Sequence, residues 1–408
     1  MRLDQRLRRL KGDNAALPPE PAPTALAKRL ERLSLARRRR DAARCDEAGL
    51  AERLGAESVA PGVLRLERRI PMRERHGRVM LGGCLQAIPC LLDAAGGDAG
   101  GWVFLDTETS GLAGGTGTWA FLCGLIRPCG DVLLLRQYLL TRLDTEPAYL
   151  DCLEQELNTA ELFVTYNGKS FDLPLLTTRL RLSGRLACLT DSGHLDLLFP
   201  VRRAFKSVWP DCRLVTAESR LLAFGRQDDL PGSEAPAAWL AWLRRGEPDA
   251  LAGVLRHNCW DLLSLVALPE RLALAYREPH LAGADIRAVA AAHRAGGAGE
   301  LAYHILQANQ SMLKADGLLD LARLYRARGE LDQARSIWES LALEGHPAAL
   351  ETLAKDLEHG RRNYQRALEL ARRLPEGMAR DRRCRRLEAK LGAGTTSRIL
   401  RAGMFETF

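Results

Sequence analysis

The residues whose types and spacing suit catalysis cluster in three short stretches of this 408-residue chain. The first, WVFLDTETSGL (102–112), is an apolar, β-prone run that ends in Asp106 and Glu108. Alternation along a strand puts these two carboxylates on one face, where they repel each other unless a cation lies between them. In the second, YNGKSFDLPLL (166–176), Asp172 opens an apolar stretch of helical length, a position where the backbone dipole favours an acid. The third, LRHNCWDLL (255–263), lies in a helical pattern running from Asp249 to about Ala275. His257 and Asp261 stand one turn apart in it and share a face.

Taken singly, each stretch has an ordinary explanation: a solvated strand end, a helix-start acid, a surface His/Asp pair. Together they supply four carboxylates and an imidazole in the order acid-x-acid, acid, His, acid. Phosphodiester hydrolysis by two divalent ions about 3.5–4 Å apart needs such a set. Several carboxylates would hold the ions, and oxygen ligands suit Mg²⁺ or Mn²⁺. An imidazole is chemically suited to orient or deprotonate the attacking water.

With these residues in place the sequence resembles the DEDD superfamily of 3′→5′ exonucleases, and within it the bacterial YprB-type ribonuclease-H-like proteins. Asp106 and Glu108 match the first motif, Asp172 the second with Asn167 and Phe171 beside it, and Asp261 the third. The text around the acids, HLDLLFPVRR (194–203), DCRLVTAE (211–218) and FGRQDDLPG (224–232), also fits that group, and the resemblance spans roughly residues 62–275. It implies a nuclease in which Asp106, Glu108, Asp172 and Asp261 hold two divalent ions, Mg²⁺ or Mn²⁺. It further implies substrate contacts at Thr109, Leu112, Asn167 and Phe171. In the superfamily a Tyr four residues before the last acid, or a His five before it, positions the water. Here His257 stands at the Tyr spacing, which leaves two roles open: positioning the water, or only occupying that place.

The elements that must position these residues are readable too. TWAFLCGLIRP (118–128) and DVLLLRQYLL (131–140) flank a Cys-Gly turn and predict a hairpin after the first motif. A helix from about Glu146 to Leu157 leads to a strand at 162–165, a further strand covers about 194–198, and GVLRLERRIPM (62–72) reads as a strand or two. The expected fold is α/β, a ribonuclease-H-like mixed sheet with flanking helices, followed by an all-α helical-repeat region. In that second region LARLYRARGELDQARSIWESLA (321–342) aligns with LAKDLEHGRRNYQRALELARR (353–373) at an offset of 33, near the tetratricopeptide period. The expected divisions are a basic, partly disordered arm over 1–60, a nuclease-like domain over 61–280, helical repeats over 298–392 and a tail over 393–408.

Charge is unevenly placed. Residues 1–45 hold 13 Lys/Arg against 5 Asp/Glu, and residues 360–402 hold 13 against 4, in a chain of net +8. The middle is therefore acidic, as suits a metal-loaded centre whose nucleic acid is gathered by its neighbours. The run Arg37–Arg40 is the foremost candidate for phosphate contact, with solvated surface as the plain alternative. No apolar run approaches a membrane span, the charged start MRLDQRLRRL lacks a signal-peptide core, and ten cysteines form no C-x-x-C pair. These features predict reduced thiols and a cytoplasmic protein with DNA or RNA as partner, no membrane, and a further protein docked on the helical repeats as an open role. The competing readings are a non-catalytic nucleic-acid-binding module and an interaction scaffold that keeps the fold.

Overall fold

The computed structural model describes residues 45–88, 91, 99–111, 116–185, 189 and 192–403. Residues 1–44 of the basic arm with Arg37–Arg40, Leu112, and the side chains of the 393–408 tail lie outside the described residues.

The strands in chain order are β1 (Glu57–Ala60), β2 (Val63–Pro71), β3 (Arg75–His76), β4 (Val79–Met80), β5 (Trp102–Thr109), β6 (Ala120–Cys129), β7 (Val132–Leu140), β8 (Leu162–Thr165) and β9 (Gly193–Asp196). Seven of them form one mixed sheet in the order β1-β2-β7-β6-β5-β8-β9, while β3 and β4 pair separately. The β6–β7 hairpin turns at Gly130, whose φ of 60° is the left-handed conformation that such a tight turn requires. β5 pairs antiparallel with β6 and parallel with β8, and β8 pairs parallel with β9. All four residues of β8 are buried, as expected for a short parallel strand covered on both faces.

β5 shows the two-residue period directly. Trp102 and Phe104 enter one apolar cluster with Leu262, Leu265 and Val266 of the long helix Leu251–Arg277. Val103 and Leu105 enter the opposite cluster with Tyr149 and Leu153 of the helix Glu146–Leu157 and Leu176 of the helix Asp172–Leu182. Asp106 and Glu108 continue the first face where β5 runs out of apolar residues.

Ordered structure starts earlier than the expected boundary near Pro61. The helix Glu47–Leu54 is capped by the Asp46 side chain at one end and by Gly55, φ 64°, at the other. Glu47 then ties it to the sheet, accepting from Thr141 Oγ1 at 2.9 Å and from Gly62 N at 3.1 Å. The helical region likewise starts before Ala298, because the helices Ile286–Ala295 and Gly299–Ala308 already form a packed pair. Two further pairs follow, Ala315–Ala327 with Leu331–Leu343 and Pro347–His359 with Tyr364–Arg372, so the offset of 33 is kept between Leu331 and Tyr364. Val289, Leu306, Leu321, Trp338 and Leu350 share one continuous apolar cluster with the helix-covered face of the sheet. These helices bury their apolar faces against the α/β unit as well as against each other.

The basic C-terminal run is largely committed inside the helical region. Arg386 and Lys390 reach the buried Glu358 at 2.7 and 2.8 Å, Arg383 reaches Glu351 at 3.0 Å and Arg372 reaches Glu388 at 2.9 Å. Hydrogen bonds from Arg386, followed by those from Lys390, hold the Glu358 carboxyl down to about 2. Cys45, Cys123, Cys129, Cys152, Cys212, Cys259 and Cys384 are free thiols, and among the described residues no helix is long and apolar enough to cross a membrane.

Candidate active site

The carboxyl ends of β5 and β8 open into a cleft of about 600 Å³, with Asp106, Glu108 and Asp172 among its lining residues. In open α/β sheets this crevice beyond the strand ends is where ligands are received. Each acid is held from a different element. Asp172 begins the helix Asp172–Leu182, and its Oδ1 accepts from Thr107 N at 3.0 Å and Thr107 Oγ1 at 2.5 Å, which locks that helix start to β5. Asp106 Oδ2 accepts from Asn258 Nδ2 at 2.8 Å. Asn258 is fully buried on the long helix, and its Oδ1 accepts from Gln137 Nε2 at 2.8 Å, so an amide relay from β7 fixes the first carboxylate.

The relay needs Gly124. This residue pairs with Asp106 across β5 and β6, and a Cβ on it would lie 2.0 Å from Asn258 Oδ1. We expect Gly124→Ala to push Asn258 off Asp106 and to cost about 1–3 kcal/mol in stability, the usual range for overpacking a filled interior. Chemical denaturation of the purified variant checks this; an unchanged midpoint would show that the helix can shift without loss.

Asp261 and His257 come to the same place from the long helix. Glu108, His257 and Asp261 each offer a ligand atom, and these atoms lie within 4.8 Å of one another. His257 Nδ1 is 2.9 Å from Asp229 Oδ1, and its Nε2 is 3.5 Å from Asp261 Oδ2. Gly232, on the cleft wall, packs close to the imidazole: a Cβ there would lie 3.3 Å from His257 Nε2. Arg226 closes the back of the group. It forms a fork with the fully buried Glu218 at 2.7 and 2.8 Å, contacts Asp229 at 3.2 Å and pairs with Asp261. Ser264 Oγ donates to the same Glu218 at 2.6 Å, which pins the guanidinium's anchor.

Of the expected substrate contacts, Thr109, Asn167 and Phe171 all line the cleft. Asn167 takes a left-handed φ of 67°, a conformation Asn tolerates better than most residues. Asp196 at the end of β9 sustains it, accepting from Asn167 N at 2.7 Å and Lys169 N at 3.1 Å. Phe171 stands 53% exposed, an aromatic face left open beside the acids.

The electrostatics follow from crowding. Desolvation, reinforced by the charges of Asp261, Asp172 and Glu108, pushes the Asp106 carboxyl well above the usual range, against the pull of Asn258. Burial and then Asp261 and Asp172 raise Glu108 to about 8. Burial raises Asp172 to about 6 although the Thr107 hydroxyl opposes it, and burial raises Asp261 against the opposing charge of Arg226. One guanidinium among four acids leaves excess negative charge, which protons absorb when no other cation is bound. A set of hard oxygen donors with an imidazole at its edge fits Mg²⁺ or Mn²⁺.

A pH dependence follows. Carboxyls raised in the folded state bind more protons there than in the unfolded chain, so stability falls as pH rises from the unfolded values near 4. We expect the melting temperature of metal-stripped protein to decline between about pH 5 and pH 8, the span set by Asp172 at about 6 and Glu108 at about 8. Millimolar Mg²⁺ or Mn²⁺ should reverse the decline, since an ion that binds only the folded state stabilises it. Thermal scans across pH with and without metal test this, and a flat metal-free profile would contradict the crowded-acid picture.

A seven-stranded mixed sheet, with acids gathered at the end of its interior strand β5, defines a ribonuclease-H-like α/β protein. Residues 103–273 match the RNase_H_2 family model of the RNase_H superfamily. The chain is 33% identical over 324 residues to the uncharacterized protein YprB of Bacillus subtilis (strain 168), covering 75% of this chain and 78% of that one. It therefore belongs to the YprB family within the ribonuclease H superfamily.

Several residues of the site were not assigned roles from sequence. Asn258, Gln137, Gly124, Arg226, Asp229, Glu218 and Asp196 each have a partner 8 to 152 positions away in the chain. Local periodicity carries no mark of such pairings.

Proposed function

We propose that this protein is a metal-dependent nuclease that hydrolyses phosphodiester bonds of DNA or RNA by a two-ion mechanism, removing nucleotides from the 3′ end. The observation that supports it best is the convergence of four carboxylates from β5, one helix start and the long helix on one small volume. Holding so many acids together has no structural benefit, because their mutual repulsion raises their own proton affinities. The 3′→5′ polarity rests on the resemblance of the three motifs to the DEDD exonucleases.

Divalent ions held by Asp106, Glu108, Asp172 and Asp261 would supply the positive charge that activates a water and stabilises the departing oxygen. The chain's own residues would do the rest. Thr107 and Asn258 fix the ligand carboxylates in one orientation, so little reorganisation is needed during reaction. Asp229 accepts the Nδ1 proton of His257 and so leaves Nε2, on the Asp261 side, free to take a proton from the attacking water. Phe171 offers a stacking face to the terminal base, and the Asn167 loop shapes the pocket beside it.

The test is degradation of 5′- and 3′-labelled single- and double-stranded DNA and RNA with Mg²⁺ or Mn²⁺, beside a chelated control. Stepwise shortening of 5′-labelled strands in metal alone supports the proposal. Binding without cleavage in every arm would instead favour a nucleic-acid-binding module.

A further inference from the structure

A second cleft of about 460 Å³ adjoins the first and is lined by Arg202, Lys206, Trp209, Pro210, Asp211 and Cys212. Tyr166 joins the two: it lines the first cleft, and its hydroxyl donates to the Cys212 carbonyl at 2.7 Å. Between them runs the helix Leu198–Phe205, whose inner face is buried and whose outer face carries Phe199, Arg202 and then Lys206 at its cap. These three stand at i, i+3 and i+7 and form one stripe, about 10 Å from end to end. Phe199 is 41% exposed, and the Lys169 ammonium, from the loop just before Asp172, lies 5.8 Å from its ring centre. The stripe thus begins beside the active-site loop and leads away from it.

Several exposed cations gather on this part of the surface. Among the described residues Lys169, Arg202, Lys206, Arg213 and Arg220 are exposed and enter no ion pair, whereas the arginines of the C-terminal helices are mostly engaged with acids. The one carboxylate lining this cleft, Asp211, accepts from Thr216 Oγ1 at 2.5 Å and Arg213 N at 3.0 Å, and its charge offsets only part of the cluster. Clustered cations in excess of the acids beside them repel each other and attract an external polyanion. Cations interleaved with an open aromatic face suit a strand whose bases are unpaired, since stacking needs a free base and phosphate contact needs only charge.

We propose that this stripe is a track for single-stranded nucleic acid, seating the stretch of substrate that leads into the acid-lined cleft. The inference rests on the nuclease reading for the direction of the strand, but not for its binding.

The test uses the full chain carrying Asp106→Asn and labelled oligothymidylates and oligouridylates, short and long, titrated across a salt series. Adding Arg202→Gln and Lys206→Gln should flatten the slope of log affinity against log salt by about 1.4, two single-strand phosphate contacts' worth. It should also remove the affinity advantage of long over short strands, and Phe199→Ala should weaken long strands by about tenfold, the scale of one stacked base. An unchanged slope and an intact length advantage would overturn the track. So would an equal loss on a fully paired blunt duplex, which would make the patch a general anion surface. If native protein cleaves nothing yet the length-dependent binding is lost in the variant, the track stands and the nuclease reading falls. If cleavage occurs and the slope does not move, the reverse holds.

Discussion

Replacing Asp106 by Asn is expected to abolish hydrolysis while leaving the protein folded. The amide is nearly isosteric, and its oxygen can still accept the hydrogen bond that Asn258 Nδ2 now gives to Asp106 Oδ2 at 2.8 Å. What it cannot supply is the negative charge that a divalent ion requires of its ligand. Charge stabilisation of several kcal/mol is at stake, and each 1.4 kcal/mol is tenfold in rate, so a loss of about 10³-fold or more is expected. The same change removes one member of a repelling group, because Asp106, Glu108, Asp172 and Asp261 each lie above the ordinary carboxylate range through burial, most of them with their neighbours' charges added. The metal-free variant should therefore melt at or above the native temperature near neutral pH, and should gain less from added Mg²⁺ or Mn²⁺. Activity assays paired with thermal scans separate loss of chemistry from loss of fold. Full activity in this variant, or in Asp172→Asn, would sink the metal-dependent reading.

The acids were legible because each sits at the end of an element with a strong local signature. Asp106 and Glu108 close an apolar strand, Asp172 opens a helix, and Asp261 lies one turn after His257 in an unbroken helical pattern. The β6–β7 hairpin, the helix Glu146–Leu157 and β8 fall where the apolar pattern and the Cys-Gly turn put them. The less legible parts depend on distant partners. Arg226 stands in the stretch FGRQDDLPG that carries part of the family resemblance, yet nothing local says that its guanidinium will meet Glu218, Asp229 and Asp261 together. Gly124 sits mid-strand, and only the Asn258 amide packed against it explains why a side chain has no room. The early helix Glu47–Leu54 was missed for another reason: its caps, Asp46 and Gly55, were present in sequence but were overshadowed by the proline-rich arm before them.

The distribution of charge also changes meaning once contacts are known. In sequence the two ends look alike, each Arg-rich and of similar net charge. In the fold, much of the C-terminal excess is matched by acids on neighbouring helices, with Glu358 at the centre of one such set. Arg202 and Lys206, which enter no ion pair, lie instead in the nuclease-like part, along and just after a helix whose text, HLDLLFPVRR, shows only two consecutive arginines. Net charge along a chain is therefore a weak guide to where a polyanion would dock. Ion pairing decides which cations remain available.

Removing the imidazole with His257→Ala is expected to lower turnover by about 10²–10⁴-fold, the usual contribution of a positioned general base. The geometry favours this role over a surface pairing. The side chain is only partly exposed, Asp229 binds Nδ1 at 2.9 and 3.0 Å, and Nε2 faces Asp261 at 3.5 Å beside Gly232 on the cleft wall. An Asp that fixes one ring nitrogen selects the tautomer presented by the other, so Asp229→Asn should produce a smaller loss in the same direction. Metal affinity, read from the shift in melting temperature with added Mn²⁺, should change little in either variant if the four carboxylates carry the ions. A loss in His257→Ala of less than tenfold would place the imidazole outside the chemistry and return it to a packing contact with Asp261. A large fall in metal affinity with a matching fall in rate would make it a ligand instead, completing the group it forms with Glu108 and Asp261.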